Sequence, residues 1–295
     1  MYHSLVKHFD FVGIINKATY EKHKPFLYPY ETIFVVGLSY PNKPYAHKKD
    51  ALTASMYTYG FDYHNVIKKR LTPFLNEDTL ILVDNHTIDE RLCLALTGLA
   101  FLGKNNLMIH KDYGSYFFIG LLLSKQKYDE VIVDNFDSCG TCEICINACP
   151  VNALFKGYDV NKCMSAYNQS KRPLTDEEIK HNYLLLGCDI CQRVCPKNKN
   201  IKESQTLEFY PKDHSYVLID DLFHLSNKAF KEKYGQAAYL WRGKTLLLRN
   251  ALTILLKTKN TAYNHLIKET IDSDGYPQWY KDDARRILKK LEELV

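Results

Sequence analysis

The chain has 295 residues, a net charge of +5, 46% hydrophobic residues and nine cysteines. That length allows two or three domains with a sizeable core, and the mild charge permits nucleic-acid binding without demanding it. The longest apolar stretch, around Phe117 to Leu123, is too short to span a bilayer, and no signal peptide opens the chain, so a cytoplasmic protein with no membrane partner is expected.

Residues 1 to about 135 read as alternating β and α. Thr32 to Tyr40 is short, apolar and β-branched, like a buried strand. Phe61 to Leu75 has helical spacing, with Tyr63, Val66, Ile67, Leu71 and Phe74 on one side. Thr79 to Asp84 is a second buried strand, and Ile88 to Phe101 reads as a helix closed by Gly103. Ser115 to Leu123 and Val131 to Val133 are further strands. GxGxxG and P-loop spacings are absent, so a nucleotide phosphate site has no support. Cys93 lies in an apolar run and reads as a buried small hydrophobe.

Residues 136 to 200 hold the other eight cysteines. Cys139, Cys142 and Cys145 recur every third residue, and Cys149 precedes Pro150. The pattern returns with a stretched first gap as Cys163, Cys188, Cys191 and Cys195-Pro196. Three thiolates at that interval fold around one corner of an iron–sulfur cube, and the cysteine before proline ligates the other cluster. The spacing therefore assigns Cys139, Cys142, Cys145 and Cys195 to one four-iron cluster, and Cys149, Cys163, Cys188 and Cys191 to another. Zinc also uses paired cysteines. It accounts for CxxC pairs but not for two CxxCxxxCP tails.

From 201 onward the chain turns helical. Asp220 and Asp221 can cap a helix ending before Gly235; Lys244 to Lys257 is amphipathic; 261–272 and 280–294 supply two more helices. Helices of this length in succession suggest a short solenoid piece. Between 197 and 249 there are ten Lys and Arg against six Asp and Glu, an excess that reads equally as a solvated surface or as a phosphate-binding face.

Two clusters imply electron transfer, and a plain carrier needs only the central segment. The flanking domains suggest that electrons reach a redox cofactor, because side chains do not accept them easily. Asp84 ends an apolar strand, where open α/β sheets place ligands. There it reads as a general acid with a raised pKa, or as the cap of the next helix. Gly103-Lys104-Asn105 and Gly114-Ser115 lie in polar turns, and Tyr57, Tyr59, Tyr63 and His64 form an aromatic, polar group at a helix start.

These stretches resemble one family, epoxyqueuosine reductase. Met56 to His64 is similar to its "RYAxGRDYH", and Val83 to Arg91 to its "VDxxPxxER". Gly98 to Asn105 resembles "GxGWxGKN", Gly114 to Phe118 "GSWFF", Gly187 to Gln192 "GCDxCQ", and Arg242-Gly243 with Leu248 to Ala251 "RG…WLRNxA". Departures fall at 164–170, at Pro196-Lys197-Asn198 and at Phe101. The resemblance implies an α+β fold: a cobalamin-binding α/β domain over 1–135, a ferredoxin-like domain with two 4Fe-4S clusters over 136–200, and a HEAT-like helical tail over 201–295. It implies that Asp84 is the proton donor. It also implies that Tyr59, Asp62, His64, Gly103, Lys104, Asn105, Gly114 and Ser115 contact cobalamin. The expected reaction reduces the epoxide on the wobble base of a transfer RNA to the alkene of queuosine. Partners would be the tRNA anticodon stem-loop, held by Arg242, Lys244 and Arg249, and an external electron donor, with the protein a monomer. The alternatives are a related cobalamin reductase acting on another substrate, as in reductive dehalogenases, and a ferredoxin-type carrier.

Overall fold

A computed structural model describes residues 1–44, 48, 50–134 and 137–294. Eight strands occur among them: β1 (Phe11–Asn16), β2 (Thr32–Ser39), β3 (Ala51–Leu52), β4 (Thr79–Leu82), β5 (Ala100–Leu102), β6 (Met108–His110), β7 (Phe117–Ser124) and β8 (Val217–Leu218). The described residues form two compact units that interleave along the chain. One comprises 1–43, 61–145 and 191–210; the other comprises 44–60, 146–190 and 211–295. Three consecutive segments were expected, and the boundary placed at 135/136 lies outside the described residues. Of the cysteine segment, 137–145 and 191–200 belong to the first unit and 146–190 to the second. Among the described residues no helix is long and apolar enough to cross a membrane.

The first unit is built on a four-stranded sheet in the order β1-β2-β7-β4, with every pair antiparallel. β2 and β7 are central and apolar on both faces because both faces are covered. Ile33, Val35, Leu121 and Leu123 pack with Cys93 and Leu94 of the Glu90–Leu96 helix. The alternate residues, Phe34, Val36 and Leu122, are buried on the opposite face. There Gly120 lets the Tyr63–Leu71 helix approach closely: a Cβ on Gly120 would meet Ile67 Cγ2 at 2.6 Å. The expected alternation of β and α is thus replaced by an antiparallel sheet, and the rule for ligands at parallel strand ends does not apply. Ala100–Leu102 is not the end of a helix but one arm of a hairpin with β6, and Gly103 lies in its turn. Val131 makes only an isolated bridge to Ile14.

The second unit is mainly helical. The Lys244–Lys257 helix is apolar nearly all round, with Leu246, Leu247, Leu248, Ala251, Leu252 and Leu255 buried. A helix of that kind must be surrounded. The helices Ile219–His224, Asn264–Asp272 and Gln278–Glu292 supply core partners for it through Leu222, Ile267, Ala284 and Ile287. Asp220 and Asp221 do not begin one long helix. They lie in the Ile219–His224 helix, and Ser226 caps a second one at Asn227–Tyr234.

Candidate functional site

Asp84 lies two residues beyond β4, on the edge strand. Asp84 and Asn85 both adopt the left-handed backbone region, with φ of 47° and 50°. That region is costly for residues with a side chain, so neighbours must hold it. Glu90 does so: its carboxylate accepts from the Asp84 backbone N at 3.0 Å and pairs with His86 Nε2 at 3.0 Å. Asp84 Oδ2 accepts a hydrogen bond from the Tyr63 hydroxyl and lies 3.0 Å from His64 Nε2. His64 Nδ1 lies 2.7 Å from Asp62 Oδ1, which also caps the Tyr63–Leu71 helix by accepting the His64 backbone N at 2.9 Å. Tyr63 stacks flat on Phe118 of β7, with ring centroids 4.2 Å apart.

Two carboxylates therefore grip one imidazole. Hydrogen bonds to Asp62 and then to Asp84 push the His64 pKa up to about 9. Asp84 moves the opposite way: the His64 hydrogen bond holds its carboxyl below the usual range against the effect of burial. Burial alone would raise Asp62, but the hydrogen bonds from the His64 side chain and backbone outweigh it. This corrects the expectation of a raised Asp84 pKa. The group's proton at neutral pH sits on His64, and Asp84 is a carboxylate. Nor is Asp84 the cap of the next helix, because Asp89 takes that role by accepting from Leu92 N at 3.0 Å. With side chains 29% and 43% exposed, His64 and Asp84 are open to a ligand. Tyr63, read from the sequence as part of an aromatic, polar group, was not among the expected cofactor contacts, although its position inside the Asp62–His64 motif was a signal.

In the same unit, Cys139, Cys142, Cys145 and Cys195 line one cavity with Lys104, Asn105, Ile109, Pro196 and Lys197. These are the four cysteines that the spacing groups together, and here they line the same cavity. Gly140, at φ 50°, turns the chain so that Cys142 N reaches Cys139 O at 3.0 Å. Lys104 N donates to Cys139 Sγ at 3.4 Å, and Asn105 Nδ2 donates to Cys191 O at 3.5 Å. A zinc site draws its sulfurs to about 2.3 Å from one point. A four-iron cube instead spreads four thiolates around a larger body, which fits a cavity lined by four cysteines.

Cys149, Cys163 and Cys188 belong to the second unit, and Cys191 to the first. Cys149 Sγ accepts from Ala153 N at 3.3 Å, and the Tyr183 hydroxyl lies 3.7 Å from Cys188 Sγ. Asp189, beside Cys188, accepts from Ser55 Oγ and from Met56 N at 3.1 Å, tying the tyrosine-rich segment to the cysteine arm.

Several expected cofactor contacts have other employment. Tyr59 is buried in the second unit, where its carbonyl accepts from Ser215 Oγ at 2.6 Å. Gly103, Lys104 and Asn105 form the turn at the four-cysteine cavity. Ser115 is buried, and its polar atoms are spent holding the segment around Cys195. Asn198 Oδ1 accepts Ser115 N at 2.7 Å, Asn198 Nδ2 donates to Ser115 Oγ at 2.9 Å, and Gln192 Nε2 donates to Ser115 O at 2.8 Å. Gly114 leaves room for this clamp, since a Cβ there would meet Asn198 Oδ1 at 2.0 Å.

The basic trio also divides. Arg249 is fully buried and cannot reach a phosphate. Its guanidinium pairs with Asp283 at 3.3 Å and donates to the carbonyls of Asn168, Ser170 and Arg172 at 3.3, 3.1 and 3.1 Å. Lys244 is buried as well, its Nζ donating to Leu225 O at 2.5 Å. Arg242 alone of the three stays partly exposed, its guanidinium 3.6 Å from the ring centroid of the exposed Trp241.

Two known domain families match the sequence. Residues 138–198 match a 4Fe-4S double cluster binding domain, and residues 25–79 match the domain described as Epoxyqueuosine reductase QueG. The epoxyqueuosine reductase of Lactococcus garvieae is 31% identical over 280 residues, covering 89% of this chain and 79% of the relative. That of Listeria monocytogenes is 33% identical over 269 residues, covering 84% and 69%. The chain belongs to the epoxyqueuosine reductase family. As a member it is an oxidoreductase, and the plain electron-carrier alternative falls away. The fold agrees. The Streptococcus thermophilus epoxyqueuosine reductase superposes with a TM-score of 0.85 at 25% identity, covering 99% of this chain and 90% of that one. Another epoxyqueuosine reductase, solved with a tRNA-Tyr epoxyqueuosine-modified stem loop, has the same fold with a TM-score of 0.86 at 23% identity, covering 98% and 90%. In this epoxyqueuosine reductase family member, Arg249 and Asn250 form a structural anchor: Asn250 Nδ2 donates to Asn168 O and Leu185 O, both at 2.7 Å.

Proposed function

We propose that this chain converts epoxyqueuosine at the tRNA wobble position to queuosine, using cobalamin and two 4Fe-4S clusters fed by an external donor. Removing the epoxide oxygen as water consumes two electrons and two protons. The observation that carries the reading is the coexistence, in one unit, of a four-cysteine cavity and a protonated His64 held against Asp84. One site can supply electrons and the other protons.

Cobalamin, when bound, supplies a strongly reducing cobalt centre that side chains cannot provide. The polar face at Asp84 and His64 is partly exposed and so open to a ligand of that kind. His64 and Asp62 are the expected contacts that remain at this face. Asp84 acts there as a relay. As the epoxide oxygen gains negative charge, Asp84 accepts the His64 Nε2 proton and passes it to that oxygen, with Tyr63 holding the carboxylate in place. Asp62 keeps His64 oriented and charged. Cys139, Cys142, Cys145 and Cys195 hold one cluster, and Cys149, Cys163, Cys188 and Cys191 the other. The tRNA backbone meets Arg242, and the modified base enters at Asp84 from a single-stranded loop.

A bacterial strain lacking its reductase accumulates epoxyqueuosine in tRNA, and supplying this chain should restore queuosine. Persisting epoxyqueuosine with the protein present and metallated would contradict the assignment.

A further inference from the structure

Tyr167 ends the short helix Met164–Tyr167 that begins directly after Cys163. Its side chain is 3% exposed, yet its hydroxyl has no hydrogen-bond partner among the described residues. A buried hydroxyl without a partner is costly, so such groups are nearly always satisfied by something. The surroundings say by what. Glu178 and three cysteines, Cys188, Cys163 and Cys149, lie close enough to act electrostatically on this hydroxyl. Glu178 is already engaged by Arg172 at 2.6 and 2.8 Å and by Thr175 N at 2.8 Å. The backbone fixes the ring in place: Tyr167 N donates to Cys163 O at 3.0 Å. Asn168 exchanges two hydrogen bonds with Gly187, the residue before Cys188, at 2.8 and 3.1 Å.

We propose that Tyr167 donates its hydroxyl hydrogen to the iron–sulfur cluster carried by Cys149, Cys163 and Cys188, and that this bond raises that cluster's reduction potential. The proposal rests on the reading that these cysteines hold a 4Fe-4S cluster. Reduction adds one negative charge to the cluster. A donor aimed at its sulfur therefore stabilises the reduced form more than the oxidised one. Tyr167 is a positioning residue for an electron, with no contact to substrate required.

The test is an anaerobic redox titration of the metallated protein followed by EPR, with iron and sulfide counted first. Tyr167→Phe should keep about eight irons per chain, the content of two four-iron clusters. At fixed ambient potential it should lower the reduced-to-oxidised ratio of one cluster by up to about tenfold (59 mV for one electron), leaving the other in place. Installing 3-fluorotyrosine at 167, a stronger donor of nearly the same shape, should move the ratio upward. It also keeps the question open to test if phenylalanine disturbs assembly. Full iron content with an unmoved ratio in either variant, or an equal shift in both clusters, overturns the proposal. A parent protein holding only one cluster, or zinc, overturns the underlying reading, and the proposal with it.

Discussion

In the proposed reaction Asp84 is the residue on which the chemistry turns, and its behaviour follows from its neighbours. Asp84→Asn keeps the shape but replaces the carboxylate with a neutral amide that cannot take up the His64 proton. Turnover should drop by roughly two to four orders of magnitude, the range for a positioned proton carrier, while cluster content stays unchanged. Steady-state kinetics beside an iron assay checks this, and normal turnover in Asp84→Asn removes Asp84 from the mechanism. The pH dependence has a definite sign. His64 is raised from 6.5 to about 9, so its proton is present at neutral pH and lost as pH rises through about 9. Turnover should fall over the same interval, and His64→Gln should abolish that limb. The same shift contributes stability that is complete below pH 6.5 and lost as pH rises through about 9. The thermal midpoint of the parent should therefore decline across that window more than that of His64→Gln.

At the scale of elements, the Lys244–Lys257 helix separates what charge alone could not. Arg249 and Asp283 are both fully buried, so removing one strands the other. Arg249→Ala should cost about 3–5 kcal/mol, read as a lowered denaturant midpoint. Arg242→Ala should leave stability in place, weaken tRNA binding and flatten its salt dependence by about one unit of slope. An unchanged slope would make the Trp241–Arg242 pair an ordinary surface feature. The burial of Arg249 was legible in principle, because leucines and alanine surround it on every side of the helix. Counting charges along the chain treats every arginine as exposed, and that hid it. β2, β7 and the Tyr63–Leu71 helix were readable from apolar runs and helical spacing. The β5–β6 hairpin was not, since Ala100–Leu102 continues the apolar pattern of the helix before it, and only pairing with β6 makes it a strand.

For the whole molecule, the cysteine spacing carried the most information. It suggested grouping Cys195 with Cys139, Cys142 and Cys145 across about fifty residues, and the four line one cavity. What the sequence hid was the interleaving of the two units and the proton's location on His64. Both depend on contacts between residues distant in the chain, such as Asp84 with His64. In the proposed reaction, electrons enter through cysteine-bound clusters, a proton waits at His64, and the substrate oxygen leaves beside Asp84. The most direct measurement supplies the purified protein, loaded with iron–sulfur clusters and cobalamin, with epoxyqueuosine-containing tRNA and a low-potential reductant under anaerobic conditions. Digested nucleosides are then weighed by mass spectrometry. The account expects the modified nucleoside to become one oxygen atom lighter, with the yield dependent on Asp84. Unchanged epoxyqueuosine in the presence of fully loaded, reduced protein would contradict it.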